Sequence, residues 1–120
     1  MSNINFLMFV FNEEKRIAVL TRNLKKYGQV LFMDDDSTDN SKEVAESSGA
    51  KFIRRPKGPT YVETQEMLEF VEPQVTTPWI FWGYVDNFLP KTLLQKITEI
   101  SLQDKIKYVY VPIFTYLWGD

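Results

Sequence analysis

The 120-residue chain contains neither cysteine nor histidine. The first absence excludes disulfides, thiolate metal sites and a cysteine nucleophile. The second removes the commonest general base and the commonest transition-metal ligand. Any chemistry must run on carboxylates, cations, hydroxyls and a hard metal ion. An excess of positive charge is also missing, since 14 Lys and Arg against 16 Asp and Glu give a net charge of −2. Nucleic acid is therefore not an expected partner, and an anionic ligand has to be held locally. No apolar run reaches the roughly 20 residues of a membrane span, and residues 4–11 lack the basic leader and cleavage site of a secretion signal. The expected location is the cytoplasm. Repeats, linkers and low-complexity segments are absent, which leaves one domain over residues 1–120 with one modest core.

What is present is hydrophobic content of 44% and aromatic content of 15%, enough to exclude a disordered chain. Residues 4–11, INFLMFVF, form an almost unbroken apolar run, the mark of a strand buried on both faces in a parallel sheet. After Asn12, Glu13 and Glu14, the residues Ile17, Leu20, Leu24 and Tyr27 recur at helical spacing and Gly28 ends the helix. A second strand, residues 30–33, runs straight into Asp34, Asp35, Asp36, Ser37, Thr38, Asp39 and Asn40. Asn40 followed by Glu43 predicts the start of a helix that Gly49 closes, and residues 51–54 make a short third strand.

Two prolines then force a loop carrying Arg54, Arg55 and Lys57. A more polar helix is expected from about Tyr61 to Val71, followed by Trp79, Ile80, Phe81 and Trp82 as a fourth buried strand. Pro90 opens a helix with Leu93, Leu94, Ile97 and Ile100 on its apolar face, and residues 108–111 form a fifth strand. Alternating strands and helices predict an α/β fold: a mostly parallel sheet of about five strands with helices on both faces. The loops at Asn12–Glu13, Asp34–Asp36, Arg54–Lys57 and Tyr84–Asp86 should then emerge at one sheet edge, where open α/β sheets bind ligands.

Carboxylates at that edge can hydrogen-bond a base or ribose, ligate Mg²⁺ or Mn²⁺, or act as nucleophile and proton carrier. They can also simply cap helices, Asp86 ahead of Pro90 included. The cations have an equally plain reading as a solvated basic turn.

Three motifs, Phe11-Asn12-Glu13-Glu14 after the first strand, Met33-Asp34-Asp35-Asp36-Ser37-Thr38-Asp39-Asn40-Ser41 after the second and Val85-Asp86-Asn87-Phe88-Leu89-Pro90 after the fourth, resemble the nucleotide-binding half of family-2 glycosyltransferases of GT-A fold. The resemblance covers residues 4 to about 103 and implies a GT-A-like three-layer sandwich. It implies a donor of the UDP- or GDP-sugar type, held near Phe11, Asn12, Glu13, Asp35, Asp39 and Val85, with Asp35 accepting from a uracil-type ring nitrogen and Asp39 bracing the loop. Asp86 would ligate Mg²⁺ or Mn²⁺ on the diphosphate, and Arg54, Arg55 or Lys57, by their position, would add phosphate contacts. The acceptor, a glycan or lipid, and the catalytic base would come from a second half that the chain is expected to lack.

Tyr84 stands where the family has the first aspartate of its Asp-x-Asp motif, and Asp36 where it has glycine. Two other readings remain at this point. Asp34-x-Asp36-x-Thr38 also resembles the first motif of haloacid-dehalogenase-type phosphohydrolases, with Asp34 as nucleophile and Asp36 as acid/base. The third reading is a domain that binds nucleotide without turnover. The aromatic residues toward Trp118 suggest a surface that a protein or a peripheral membrane partner covers.

Overall fold

A computed structural model of the chain describes residues 3–55, 65–85 and 89–103. Four strands and four helices alternate: β1 (Ile4–Val10), α1 (Glu14–Leu24), β2 (Gln29–Asp34), α2 (Ser41–Ser47), β3 (Lys51–Arg54), α3 (Gln65–Val71), β4 (Trp79–Tyr84) and α4 (Lys91–Ile100). A 3₁₀ turn at Glu72–Gln74 follows α3, because Pro73 cannot continue the α-helical hydrogen bonding. The described strands form one parallel sheet in the order β3-β2-β1-β4. The fifth strand expected at residues 108–111, the start of the helix expected from Tyr61, and Lys57 and Asp86 lie outside the described residues.

β1 is buried along its whole length, as its unbroken apolar run requires. Its alternating side chains divide the core in two. Ile4, Phe6, Met8 and Val10, with Val30 and Phe32 of β2, pack against Ile17 and Leu24 of α1, Ala45 of α2 and Leu94 of α4. Leu7 and Phe9, with Leu31 and Met33, pack against Met67 and Val71 of α3 on the other face. Helices therefore cover both faces of the sheet in three layers. Each large side chain buried in this way contributes roughly 1.5–3 kcal/mol.

The chain leaves α1 through a tight turn in which the Gly28 N–H donates to the Leu24 carbonyl at 3.0 Å. A Cβ at Gly28 would lie 2.5 Å from the Ile4 carbonyl oxygen and 2.9 Å from the Phe6 ring, so only glycine lets β2 start this close to β1. α2 ends at Gly49, whose φ of 94° is open to glycine at no steric cost.

β4 departs from expectation. Its side chains from Trp79 to Trp82 are half-buried rather than fully buried, because among the described residues β4 is an edge strand with a neighbour on one side only. Among the described residues no helix is long and apolar enough to cross a membrane.

Candidate functional site

The parallel register sets the ends of the strands side by side. Val10 pairs with Asp34, Asp34 with Arg54, and Phe9 with Tyr84. The loops after all four strands thus leave from the same sheet edge. The strand order reverses at β1, between β2 and β4, and such a reversal is where open α/β sheets form a binding crevice.

The loops after β1 and β2 are laced together. Asn12 adopts a φ of 50°, a conformation that asparagine tolerates better than most residues, and its side-chain oxygen accepts the N–H groups of Thr38 at 2.8 Å and Asp39 at 3.3 Å. Its own N–H donates to Ser37 Oγ at 2.8 Å. The Ser37 hydroxyl donates in turn to Asp34 Oδ1 at 2.5 Å, and the Ser37 N–H to Asp34 Oδ2 at 2.9 Å. Asp34 is wholly buried, and Arg54 Nε lies 3.5 Å from its Oδ2. With both oxygens occupied and no solvent access, Asp34 has no oxygen to present as a nucleophile, so the phosphohydrolase reading lacks its first requirement.

Asp39 sits between two helix starts. Its Oδ2 accepts the Glu14 N–H at 3.2 Å, and its Oδ1 accepts the Ser41 N–H at 3.0 Å and the Ser41 hydroxyl at 2.5 Å. Burial pushes its pKa up, but the Ser41 hydroxyl and the N–H groups of Ser41 and Glu14 pull it down further, leaving it below the ordinary carboxylate value. Asn40, expected to cap α2, occupies the N-cap position without a side-chain hydrogen bond there. The capping falls to its neighbour Asp39.

Asp35 and Asp36 face outward at the tip. The Asp35 N–H continues the ladder to the Val10 carbonyl at 2.9 Å, and its Oδ1 accepts from Arg55 Nε at 2.8 Å. Only 6% of the Arg55 side chain is exposed, against 58% for Asp35. Asp36 Oδ1 lies 3.5 Å from the exposed Arg54 guanidinium. Asp36 has a φ of 70°, the left-handed region that glycine favours and aspartate tolerates.

The other expected residues divide. Phe11 is 55% exposed at the mouth beside these loops. Glu13 provides the first carbonyl of α1 and turns its carboxylate to Arg16 Nε at 3.2 Å, along the helix surface. Val85 donates its N–H to the Phe9 carbonyl at 3.1 Å, but its side chain belongs to the core. Tyr84 stacks at a tilt on Phe9, with ring centroids 5.8 Å apart. Pro90 itself holds the N-cap position of α4.

Among the described residues no group of three or more carboxylates is placed to hold a metal ion. Asp34, Asp35 and Asp36 are each matched to an arginine instead. In the sequence Arg55 reads as one of three loop cations open to a phosphate, whereas the structure buries it against Asp35. Nothing local announces its burial, because arginine is ordinarily exposed. Ser37, the relay between Asn12 and Asp34, was also missed, although a serine three residues after an aspartate in a polar turn is a recognisable hydrogen-bonding pattern.

Comparison with known proteins agrees with this fold. The family model described as Glycosyl transferase family 2 matches residues 6–119. An uncharacterized glycosyltransferase of Rickettsia typhi is 27% identical over 111 residues, which cover 92% of this chain and 34% of that protein. One from Rickettsia felis is 29% identical, with coverage of 92% and 35%. The chain thus spans about a third of the length of these curated relatives. Among solved structures, glucosyl-3-phosphoglycerate synthase of Mycobacterium tuberculosis, in complex with Mn²⁺, UDP and glucosyl-3-phosphoglycerate, superposes with a TM-score of 0.57 at 20% identity over 74% of this chain and 35% of that one. A mycobacterial protein gives a TM-score of 0.61 at 18% identity, covering 86% and 38%. At these identities the structural likeness concerns the fold.

Proposed function

The chain belongs to glycosyl transferase family 2, and from that premise we propose that its crevice binds the nucleoside-diphosphate end of a sugar donor, for transfer of the sugar to an acceptor hydroxyl. The observation that carries the reading is the pairing of an exposed aromatic with a fixed acceptor at one sheet edge. Phe11 offers a face on which a base can stack, and Asp35, joined through its backbone to the residue before Phe11, offers a carboxylate oxygen to a ring N–H. Asn12 and Asp39 hold the two loops in register, so they act on the ligand through the loop rather than by contact. Arg54, exposed at the end of β3, would approach a diphosphate, and Lys57 comes three residues later in the sequence.

The likeness to a synthase that holds Mn²⁺ with UDP supports a divalent metal here. Aspartate oxygens and phosphate oxygens are the hard donors that Mg²⁺ and Mn²⁺ take, and Asp86, two residues beyond the end of β4, is the residue proposed to supply one. Such an ion would neutralise the charge on a diphosphate leaving group. The chain's own contribution is to stack and orient the base and to present the phosphates to its cations.

Calorimetric titration of the intact chain with UDP and GDP, with and without Mn²⁺, tests this reading. Binding that strengthens with Mn²⁺ and loses that gain in Asp86→Ala is expected. A chain that binds neither nucleotide would overturn the donor reading, and Mn²⁺-independent binding would overturn the metal assignment alone.

A further inference from the structure

A cleft of about 400 Å³ opens at the N-terminal ends of the strands, the sheet edge opposite the loops after β1 and β2, and this is the size range of small-molecule sites. Its floor follows from the register. Asn5, Gln29 and Lys51 each stand two residues before a side chain packed on the α3 face, respectively Leu7, Leu31 and Ile53, so all three project from that face on adjacent strands. Asn5 is the only polar residue of β1. It is 2% exposed, and its Oδ1 has no hydrogen-bond partner among the described residues. A buried acceptor without a donor is costly, and an apolar side chain in that place would avoid the cost. Lys25 and Lys51 also line the cleft. Lys25 reaches it over Gly49, where a Cβ would collide with the lysine amine. Among the described residues neither lysine pairs with a carboxylate and no carboxylate lines the cleft, so two ammonium groups face it uncompensated.

We propose that this cleft is a ligand site of its own, which takes a small anion carrying hydroxyl groups, of the sugar-phosphate class. The phosphate meets the Lys25 and Lys51 ammonium groups, and the Gln29 amide both donates and accepts beside them. A ligand hydroxyl donates to Asn5 Oδ1, which an anion without a donor leaves unsatisfied. Charge alone holds such an anion weakly at an open edge, where salt screens it. The buried acceptor makes the cleft selective for a ligand that brings a donor as well as a charge. The site stands independently of the donor reading.

The test titrates the intact, isotope-labelled chain with glucose-6-phosphate, inorganic sulfate and glucose, and follows the amide chemical shifts. Glucose-6-phosphate should shift Gly28, Gly49 and Lys51, leave Ser37 and Thr38 in place, and bind about tenfold tighter than sulfate or glucose. Replacing both exposed lysines, Lys25→Gln with Lys51→Gln, should weaken it by about tenfold or more at an unchanged melting temperature. Asn5→Val removes the orphaned acceptor and keeps a strand-forming side chain, so it should melt no lower than the wild type. Its affinity for glucose-6-phosphate should fall to that for sulfate. An Asn5→Val chain that is unfolded or clearly less stable shows that Asn5 serves the fold, and overturns the proposal. Equal wild-type binding of glucose-6-phosphate and sulfate, an adventitious ion only, overturns it too. So do shifts confined to Asp34–Asp39, which put the ligand in the other crevice, and the absence of any shift.

Discussion

Glu14 and Asp39, 25 residues apart in the chain, are joined by a hydrogen bond of 3.2 Å from the Glu14 N–H to the Asp39 carboxylate. The same carboxylate caps α2 through Ser41, so one side chain fastens the starts of two helices. Asp39→Ala should lose about 1–2 kcal/mol of stability, the usual cost of a lost helix cap.

The effect has a defined pH dependence. The pKa of Asp39 lies below the ordinary carboxylate value in the folded chain. Its contribution is therefore complete above the unfolded value and is lost as pH falls through the lower folded value. Urea melts of the wild type and Asp39→Asn should show a wide stability gap at pH 6 that narrows toward pH 2.5. A gap that stays constant across that range would show that the ionised carboxylate is not what stabilises the junction.

Asp36, with its φ of 70°, occupies backbone that glycine adopts without cost. Its ion pair with Arg54 is exposed on both sides and stabilises little. Asp36→Gly should leave thermal stability unchanged or slightly raised, whereas Asp36→Val should lose about 1–2 kcal/mol because a β-branched residue is strained there. Equal melting temperatures for the two variants would contradict the strain argument.

Gly28→Ala should destabilise the chain by about 1–3 kcal/mol, the range for forcing a methyl group into filled space. The nearest obstruction is the Ile4 carbonyl, part of the strand backbone, which cannot swing aside as a side chain would. Chemical denaturation with an unchanged m-value would place the loss in the native packing.

Phe11→Ala should separate binding from folding. The ring is mostly exposed, so its removal should shift the melting temperature little. Loss of a stacking partner is worth about 1–3 kcal/mol per base, so UDP affinity should drop roughly tenfold or more. Unchanged affinity on titration would remove Phe11 from the site.

The elements most legible in the sequence were those specified by their own composition. The run at residues 4–11 announced β1 within one residue, and the spacing of Ile17, Leu20 and Leu24 announced α1. That the four described strands end at one sheet edge follows from strand alternation alone. Less legible was whatever depends on a distant neighbour. Trp79, Ile80, Phe81 and Trp82 are apolar enough for a central strand, but burial depends on what lies beside a strand, and the described sheet has β1 on one side only. Asn40 with Glu43 matched a capping pattern, yet Asp39 takes that task because its carboxylate is also held by the Glu14 N–H from another loop. The ion pair of Glu13 with Arg16, one turn along α1, is likewise set by the geometry of the helix start. The burial of Arg55 had no local signal at all.

The ties from Asn12 to Thr38 and from Asp39 to Glu14 bear on how the crevice comes apart. Each loop is anchored by groups on the other, so neither can open without breaking hydrogen bonds made by its neighbour. Loosening the crevice is thereby linked to loosening α1 from α2, and local opening there draws on the cooperativity of the whole sheet. A nucleotide bound across these loops would consequently protect amides at the starts of both helices from hydrogen exchange, well away from the atoms it touches.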